Sequence, residues 1–230
     1  MYQNIKVIAF DADDTLWVNE TYFREAEKEF AKLLSKYETE NKIDQELFKK
    51  EIENLIFYGY GIKGFVLSMV ESALEISNYQ INPKTIESIL NIGKEMLEKP
   101  IELLPNIETV LANLQSKYRL IVATKGDLLD QERKLQKSGL LQYFHHIEVM
   151  SDKKPKDYQK LIHHLDIKPS ELLMIGNSLK SDVLPLIEIG AAAIHVPFHT
   201  TWAHEEVAQN EQNQTDYRTL TSIKELLAIL

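Results

Sequence analysis

Apolar positions change their spacing along the chain, and the changes divide it. Residues 5–10, Ile-Lys-Val-Ile-Ala-Phe, form a short apolar run of the kind expected for a strand buried on both faces. The run stops at an acidic turn, Asp11-Ala12-Asp13-Asp14-Thr15. From about Asn19 to Glu98 the spacing is helical. Phe23, Ala26, Phe30, Leu33 and Leu34 recur every three or four residues and make one apolar stripe. Asp44 is expected to cap a second helix carrying Leu47, Ile52 and Leu55. A glycine-rich break at 59–64 separates it from a third helix over 65–76. Asn82-Pro83 pairs a capping side chain with a residue suited to a first turn, so a fourth helix should start there and end before Pro100.

Beyond Pro105 the pattern alternates. Helices are expected over 107–118, 127–138, 155–165 and 181–189, and strands over 119–123, 147–150, 172–175 and 192–196. Ser222 with Glu225 makes a capping box for a last helix. Repeated strand–helix units predict an α/β fold, a Rossmann-like doubly wound parallel sheet. The helical block interrupts it after the first strand. Residues 1–17 and 101–230 should therefore form the core, and 18–100 an inserted all-helical cap. The linkers expected are 99–105 and the polar stretch 209–216.

At 230 residues, a prior of roughly 150 per domain suggests one large domain or one with an insertion. With 44% hydrophobic and 27% charged residues, the chain can bury a sizeable core. There is no cysteine, which removes disulfides, thiolate zinc sites, iron–sulfur clusters and a cysteine nucleophile. Lys and Arg total 26 against 35 Asp and Glu, a formal charge of −9. That balance argues against nucleic-acid or anionic-membrane partners. The apolar runs are strand-sized, far short of the roughly 20 residues of a membrane span. The first strand follows the N-terminus without the regions of a signal peptide, so the expected location is cytoplasmic.

In an open parallel sheet, ligands bind beyond the carboxyl ends of the strands. Polar residues suited to one reaction stand at four of the expected strand ends. Asp11 and Asp13 are carboxylates two residues apart that repel one another unless a cation or proton lies between them. Mg²⁺, a hard ion that prefers oxygen ligands, meets that need. Thr124-Lys125-Gly126 offers a hydroxyl and exposed main-chain N–H groups to a phosphate oxygen. Lys154, selected from its lysine neighbours by the following Pro155, could offset the charge of a phosphoryl group and its nucleophile. Asn177 and Asp182 add oxygen ligands after the 172–175 strand.

In this order, Asp-X-Asp-X-Thr, strand-Thr, Lys-Pro and Gly-X-Ser-X-X-X-Asp, the chain resembles the haloacid dehalogenase-like hydrolase superfamily. The resemblance covers residues 5–17 and about 101–197, and its form is that of the superfamily's phosphatases. It departs from the dehalogenases, which lack the second aspartate. The resemblance implies that Asp11 attacks phosphorus and becomes an aspartyl phosphate. It implies that Asp13 protonates the leaving alcohol and then deprotonates water, and that Thr124 and Lys154 hold the phosphoryl group. Mg²⁺ would bind the Asp11 carboxylate, the Asp13 carbonyl and a residue of the last motif. Asn177 stands where many relatives carry an acid, leaving Asn177 and Asp182 as alternative direct ligands.

The implied activity is Mg²⁺-dependent hydrolysis of a small phosphorylated metabolite, by a monomer or weak homodimer. Alternatives are a phosphosugar mutase, a phosphonatase using Lys63 as a Schiff base, or a binding protein without turnover. Asp14 is expected to serve the turn or the helix start, and Phe10 and Trp17 to pack. Tyr58, Tyr60 and Lys63 border a glycine-rich loop that could reach substrate. The histidines all fall late, and a pair such as His199 and His204 does not have the i, i+4 spacing of a helical zinc site. The aromatic and histidine-rich stretch 198–206 is a candidate rim of the site.

Overall fold

Strand β1 (Val7–Phe10) is buried along its whole length, and its side chains alternate between two apolar layers. Ile8 and Phe10 join one layer, Val7 and Ala9 the other. Strands β2 (Arg119–Lys125) and β4 (Leu172–Gly176) flank β1 in parallel, with β3 (Ile147–Met150) outside β2. Beyond β4 lie β5 (Ala192–His195) and β6 (Arg218–Thr219). The order is β3-β2-β1-β4-β5-β6, a six-stranded parallel sheet. This is the expected doubly wound α/β architecture. The computed structural model describes residues 2–207 and 217–230, and the linker expected at 209–216 lies outside them.

Helix α5 (Ile107–Leu114) and the C-terminal 3₁₀ turns (Ile223–Ala228) cover the layer that holds Phe10, Val122 and Ile175. Leu135 of α6 (Leu128–Lys137) joins them there. On the opposite layer, α7 (Pro155–His164) and α8 (Leu184–Glu188) pack on Ala9, Ile121 and Met174. The helix expected over 181–189 instead opens with a π-helical turn, Leu179–Val183, before α8. In that turn Ser178 Oγ takes the Ser181 N–H at 3.1 Å and Asp182 Oδ2 takes the Ser178 N–H at 3.0 Å. Side chains thus satisfy amides that a regular first turn would leave open. Two-residue β6 is too short to show a period.

The chain divides into two compact units. One comprises the described residues of 1–20, 101–125 and 131–230, the other those of 21–100 and 126–130. The second unit is built on α1 (Glu20–Leu34), α2 (Glu40–Tyr58), α3 (Ile62–Ile76) and α4 (Pro83–Glu98). Phe30, Leu47, Met69 and Ile89, one from each helix, share its core. Asn82 Oδ1 accepts the Lys84 N–H at 2.9 Å, the cap its sequence predicts. Asp44 is a correction: α2 begins at Glu40 without a side-chain cap, and Asp44 lies one turn inside it. Burial of Ile43 extends the apolar stripe backward and draws the polar residues before it into the helix.

Gly93 of α4 faces Val66 of α3, and a Cβ there would stand 2.4 Å from Val66 Cγ2. Overpacking of this kind typically costs about 1–3 kcal/mol. Gly93→Ala should lower the unfolding free energy by that amount, read as a lower urea midpoint at constant m, and an unchanged midpoint would show that the contact relaxes freely. Among the described residues no helix is long and apolar enough to cross a membrane.

Candidate active site

The chain leaves β1 for β2 on one side and later returns to β4 on the other, so the strand order reverses beside β1. Crevices in such sheets open at that point, beyond the carboxyl ends. Asp11 is the first residue past β1, and its N–H donates to Ile175 O of β4 at 2.8 Å. The next turn is tight: Leu16 N–H reaches Ala12 O at 2.8 Å and Asp14 N–H reaches Trp17 O at 2.7 Å. Asp14 adopts the left-handed region, with φ of 61°. Its carboxylate accepts the N–H groups of Asn19 and Glu20 at 2.8 and 3.0 Å, which closes the start of α1. Burial raises Asp14 to about 7. Its place is the expected one, at the turn and helix start.

Lys153, an unexpected residue, occupies the centre of the site. Its Nζ lies 2.5 Å from Asp11 Oδ1 and 2.6 Å from Asp182 Oδ1, with the lysine side chain 1% exposed. Burial alone would drive its pKa down, but the two carboxylates outweigh it and hold the ammonium well above the ordinary lysine range. Two carboxylates share this one ammonium. Burial raises Asp11 to about 7, because Lys153 offsets the desolvation only in part and Asp182 and Asp13 add repulsion.

Lys154, expected to fill this role, does not reach the cluster. It is the N-cap residue of α7, in extended backbone before Pro155. Its side chain is 64% exposed and pairs with Asp152 at 2.7 Å. The proline does mark the place, but successive side chains along extended backbone point to opposite sides. The residue one position earlier is the one turned inward.

Asp13, two residues after Asp11, accepts from Trp17 Nε1 at 2.7 Å, Gln131 Nε2 at 2.8 Å and Lys134 Nζ at 3.0 Å. Trp17 is fully buried, as expected of a packing residue, and its indole N–H has this second use. Gln131 and Lys134 were not anticipated. Their i, i+3 spacing on an expected helix is the available signal, and polar pairs at that spacing are ordinary on solvated faces.

Thr124 is buried at the end of β2, and its hydroxyl donates to Lys125 O at 3.1 Å. Lys125 turns its ammonium to Glu205 Oε1 at 2.5 Å and Ser181 Oγ at 2.9 Å. Gly126 follows with φ of 130°, a conformation that favours glycine, and belongs to the second unit. Also in that unit, Lys63 pairs with Asp127 at 2.9 Å and the Tyr58 hydroxyl donates to Glu71 at 2.6 Å.

Oxygen donors converge around Asp11. Thr15 Oγ1 lies 3.3 Å from both Asp11 Oδ2 and Asn177 Oδ1, so these two oxygens face a common hydroxyl. Asp182 is held against Gly176, where a Cβ would stand 2.2 Å from Asp182 Oδ2. Among the described residues no group of three His, Cys, Asp or Glu gathers as a metal cluster. The donors are instead carboxylate and amide oxygens, the chemistry a hard divalent cation takes. The surplus of carboxylate over ammonium charge fits such an ion as well.

This arrangement, a carboxylate at the topological switch point beside a buried lysine, is that of a hydrolase of one family. The profile of the haloacid dehalogenase-like hydrolases matches residues 5–190, and the chain belongs to that family. It is similar to human N-acylneuraminate-9-phosphatase, at 22% identity over 98% of this chain and 94% of the relative. Glyceraldehyde 3-phosphate phosphatase of Pyrococcus furiosus is 22% identical over 99% of this chain and 94% of the relative. A haloacid dehalogenase-like hydrolase from Xanthomonas campestris superposes with a TM-score of 0.87 at 35% identity, covering 98% of this chain and 90% of its own.

Proposed function

We propose that the protein is a Mg²⁺-dependent phosphatase that cleaves small phosphomonoesters through an aspartyl phosphate on Asp11. The observation that carries this reading is the buried Asp11–Lys153–Asp182 cluster at the carboxyl end of β1, with Asp13 two residues on. Relatives named as phosphatases, similar over nearly the whole chain, support it.

In this reading an Asp11 carboxylate oxygen forms a bond to phosphorus while the bond from phosphorus to the alcohol oxygen breaks. Asp13 gives the departing alcohol its proton. It then removes a proton from a water whose oxygen attacks the acyl phosphate, which restores Asp11 and releases orthophosphate. A single acid–base thereby serves both half-reactions. The Lys153 ammonium and the Thr124 hydroxyl hold the phosphoryl oxygens. Asp11, the Asp13 carbonyl, and Asn177 or Asp182 would hold Mg²⁺, which supplies charge neutralisation between substrate and nucleophile when bound. Asp13 meets three donors in the structure, two on Oδ1 and one on Oδ2, which leaves a lone pair of Oδ2 for the proton it carries. The helical unit serves as the cap that selects substrate.

Purified protein should release orthophosphate from an aryl phosphate with added Mg²⁺ and stop in EDTA. Acid quenching during turnover should trap a hydroxylamine-sensitive phosphate on the peptide containing Asp11. Release of orthophosphate without any such adduct would direct the mechanism to direct attack by water.

A further inference from the structure

The stretch 198–206 stands out in the sequence for its aromatic and histidine content, and the proposed chemistry leaves it without a task. The structure gives one of its residues a definite set of partners. After β5, Trp202 leads into a single 3₁₀ turn, Ala203–Glu205. The side chain of Glu205 at its end is only 12% exposed. Its Oε1 accepts from Lys125 Nζ at 2.5 Å. Its Oε2 accepts from Ser178 Oγ at 2.5 Å and Ser181 Oγ at 2.6 Å. Lys125 Nζ closes the ring by donating to Ser181 Oγ at 2.9 Å. A second tie holds the same turn, since Lys180 Nζ donates to His204 O at 2.6 Å.

These partners do not belong to one loop. Lys125 directly follows Thr124 at the end of β2. Ser178 follows Asn177, and Ser181 precedes Asp182, in the π-helical turn after β4. β2 and β4 lie on opposite sides of β1, so no main-chain ladder joins them. Glu205 is a largely buried side chain bonded to both. A buried carboxylate bonded to an ammonium and two hydroxyls is costly to disturb, because each donor left behind would lose its partner. Burial would raise Glu205, but Lys125 and the two serines more than reverse this and lower it to about 2, so the strut stays ionised wherever the fold persists at neutral pH.

We propose that Glu205 is a positioning residue for the phosphoryl-transfer site. It clamps the Thr124–Lys125 end of β2 to the Asn177–Asp182 turn after β4, and so fixes the spacing between the phosphate-holding and cation-holding parts. This rests on the phosphatase reading above. Glu205 touches neither the reacting atoms nor the cation. It acts through Lys125, Ser178 and Ser181. Partners of this outer kind commonly carry 10–100-fold of affinity or activity.

The test uses the full chain with an aryl phosphate and Mg²⁺. Glu205→Gln should melt cooperatively, lose about 10–100-fold in kcat, and change KM far less. Orthophosphate binding, followed by calorimetry without turnover, should weaken in parallel. Lys125→Met should also lose activity, and the double variant should be no worse than the poorer single one, because both cut the same clamp. Glu205→Asp keeps the charge but falls one methylene short. A clamp predicts reduced kcat for it even if Glu205→Gln fails to fold. Wild-type kcat and orthophosphate affinity in Glu205→Gln or Glu205→Asp would overturn the proposal, as would losses that multiply in the double variant. A wild-type protein without phosphatase activity would instead defeat the underlying reading, and wild-type activity matched by the variants would defeat the clamp alone.

Discussion

Lys153→Met is expected to remove both activity and stability, while Lys154→Met leaves both near wild type. Lys153 is the ammonium between Asp11 and Asp182, and all three side chains are at least nine-tenths buried. Its loss leaves two buried carboxylates facing each other without a cation. Breaking a buried ion pair from one side costs about 3–5 kcal/mol. Loss of one preorganised positive donor at a reacting oxyanion costs on the order of 10²–10³ in kcat. Lys154 is exposed, and its pair with Asp152 is of the surface kind, worth about 0–1 kcal/mol. Urea midpoints and initial rates on an aryl phosphate separate the two variants. Loss of rate in Lys154→Met with a normal Lys153→Met would return the role to the residue before the proline.

That one-residue difference shows where sequence reasoning ends. The sheet was legible because β1, β2 and β4 are apolar at consecutive positions, a pattern that survives any error in their bounds. Asp11, Thr124 and Asn177 were legible because they stand at strand ends, and Asp13 and Asp182 because they lie in the turns that follow β1 and β4. Lys153 was not, since in the run Asp152-Lys153-Lys154-Pro155-Lys156 the residue types are alike. The choice between them is made by backbone direction at the start of α7. Gln131 and Lys134 were missed for a related reason, and Glu205 was not singled out within the 198–206 stretch. Their partners are distant in sequence, and a polar residue on a helix or loop carries no mark that its side chain is turned inward. Asp44 failed in the opposite direction, since a good capping residue is no cap where the helix has already started.

The second large effect separates function from stability in a single substitution. Asp11→Asn should remove at least about 10³-fold of turnover, because an amide oxygen cannot take the place of a carboxylate nucleophile. It should not unfold the protein. In the wild type, two buried carboxylates compete for Lys153, and burial raises Asp11 to about 7. The amide keeps the size of the side chain and leaves Lys153 and Asp182 as a balanced pair. The Thr15 hydroxyl, 3.3 Å away, can either donate to or accept from it. Stability in EDTA should therefore be unchanged or higher, by about 0.5–2 kcal/mol, the usual yield when a site strained for function is relaxed. Added Mg²⁺ should reverse the order. An ion held by an ionised Asp11 stabilises only the folded state that binds it, so the wild type should gain melting temperature with Mg²⁺ and Asp11→Asn should gain much less. A variant that is inactive, more stable without the metal and nearly indifferent to it is the combined result expected. If Asp11→Asn instead lost stability in EDTA and kept the full Mg²⁺ response, the carboxylate would be a structural partner of Lys153 and the cation would lie elsewhere.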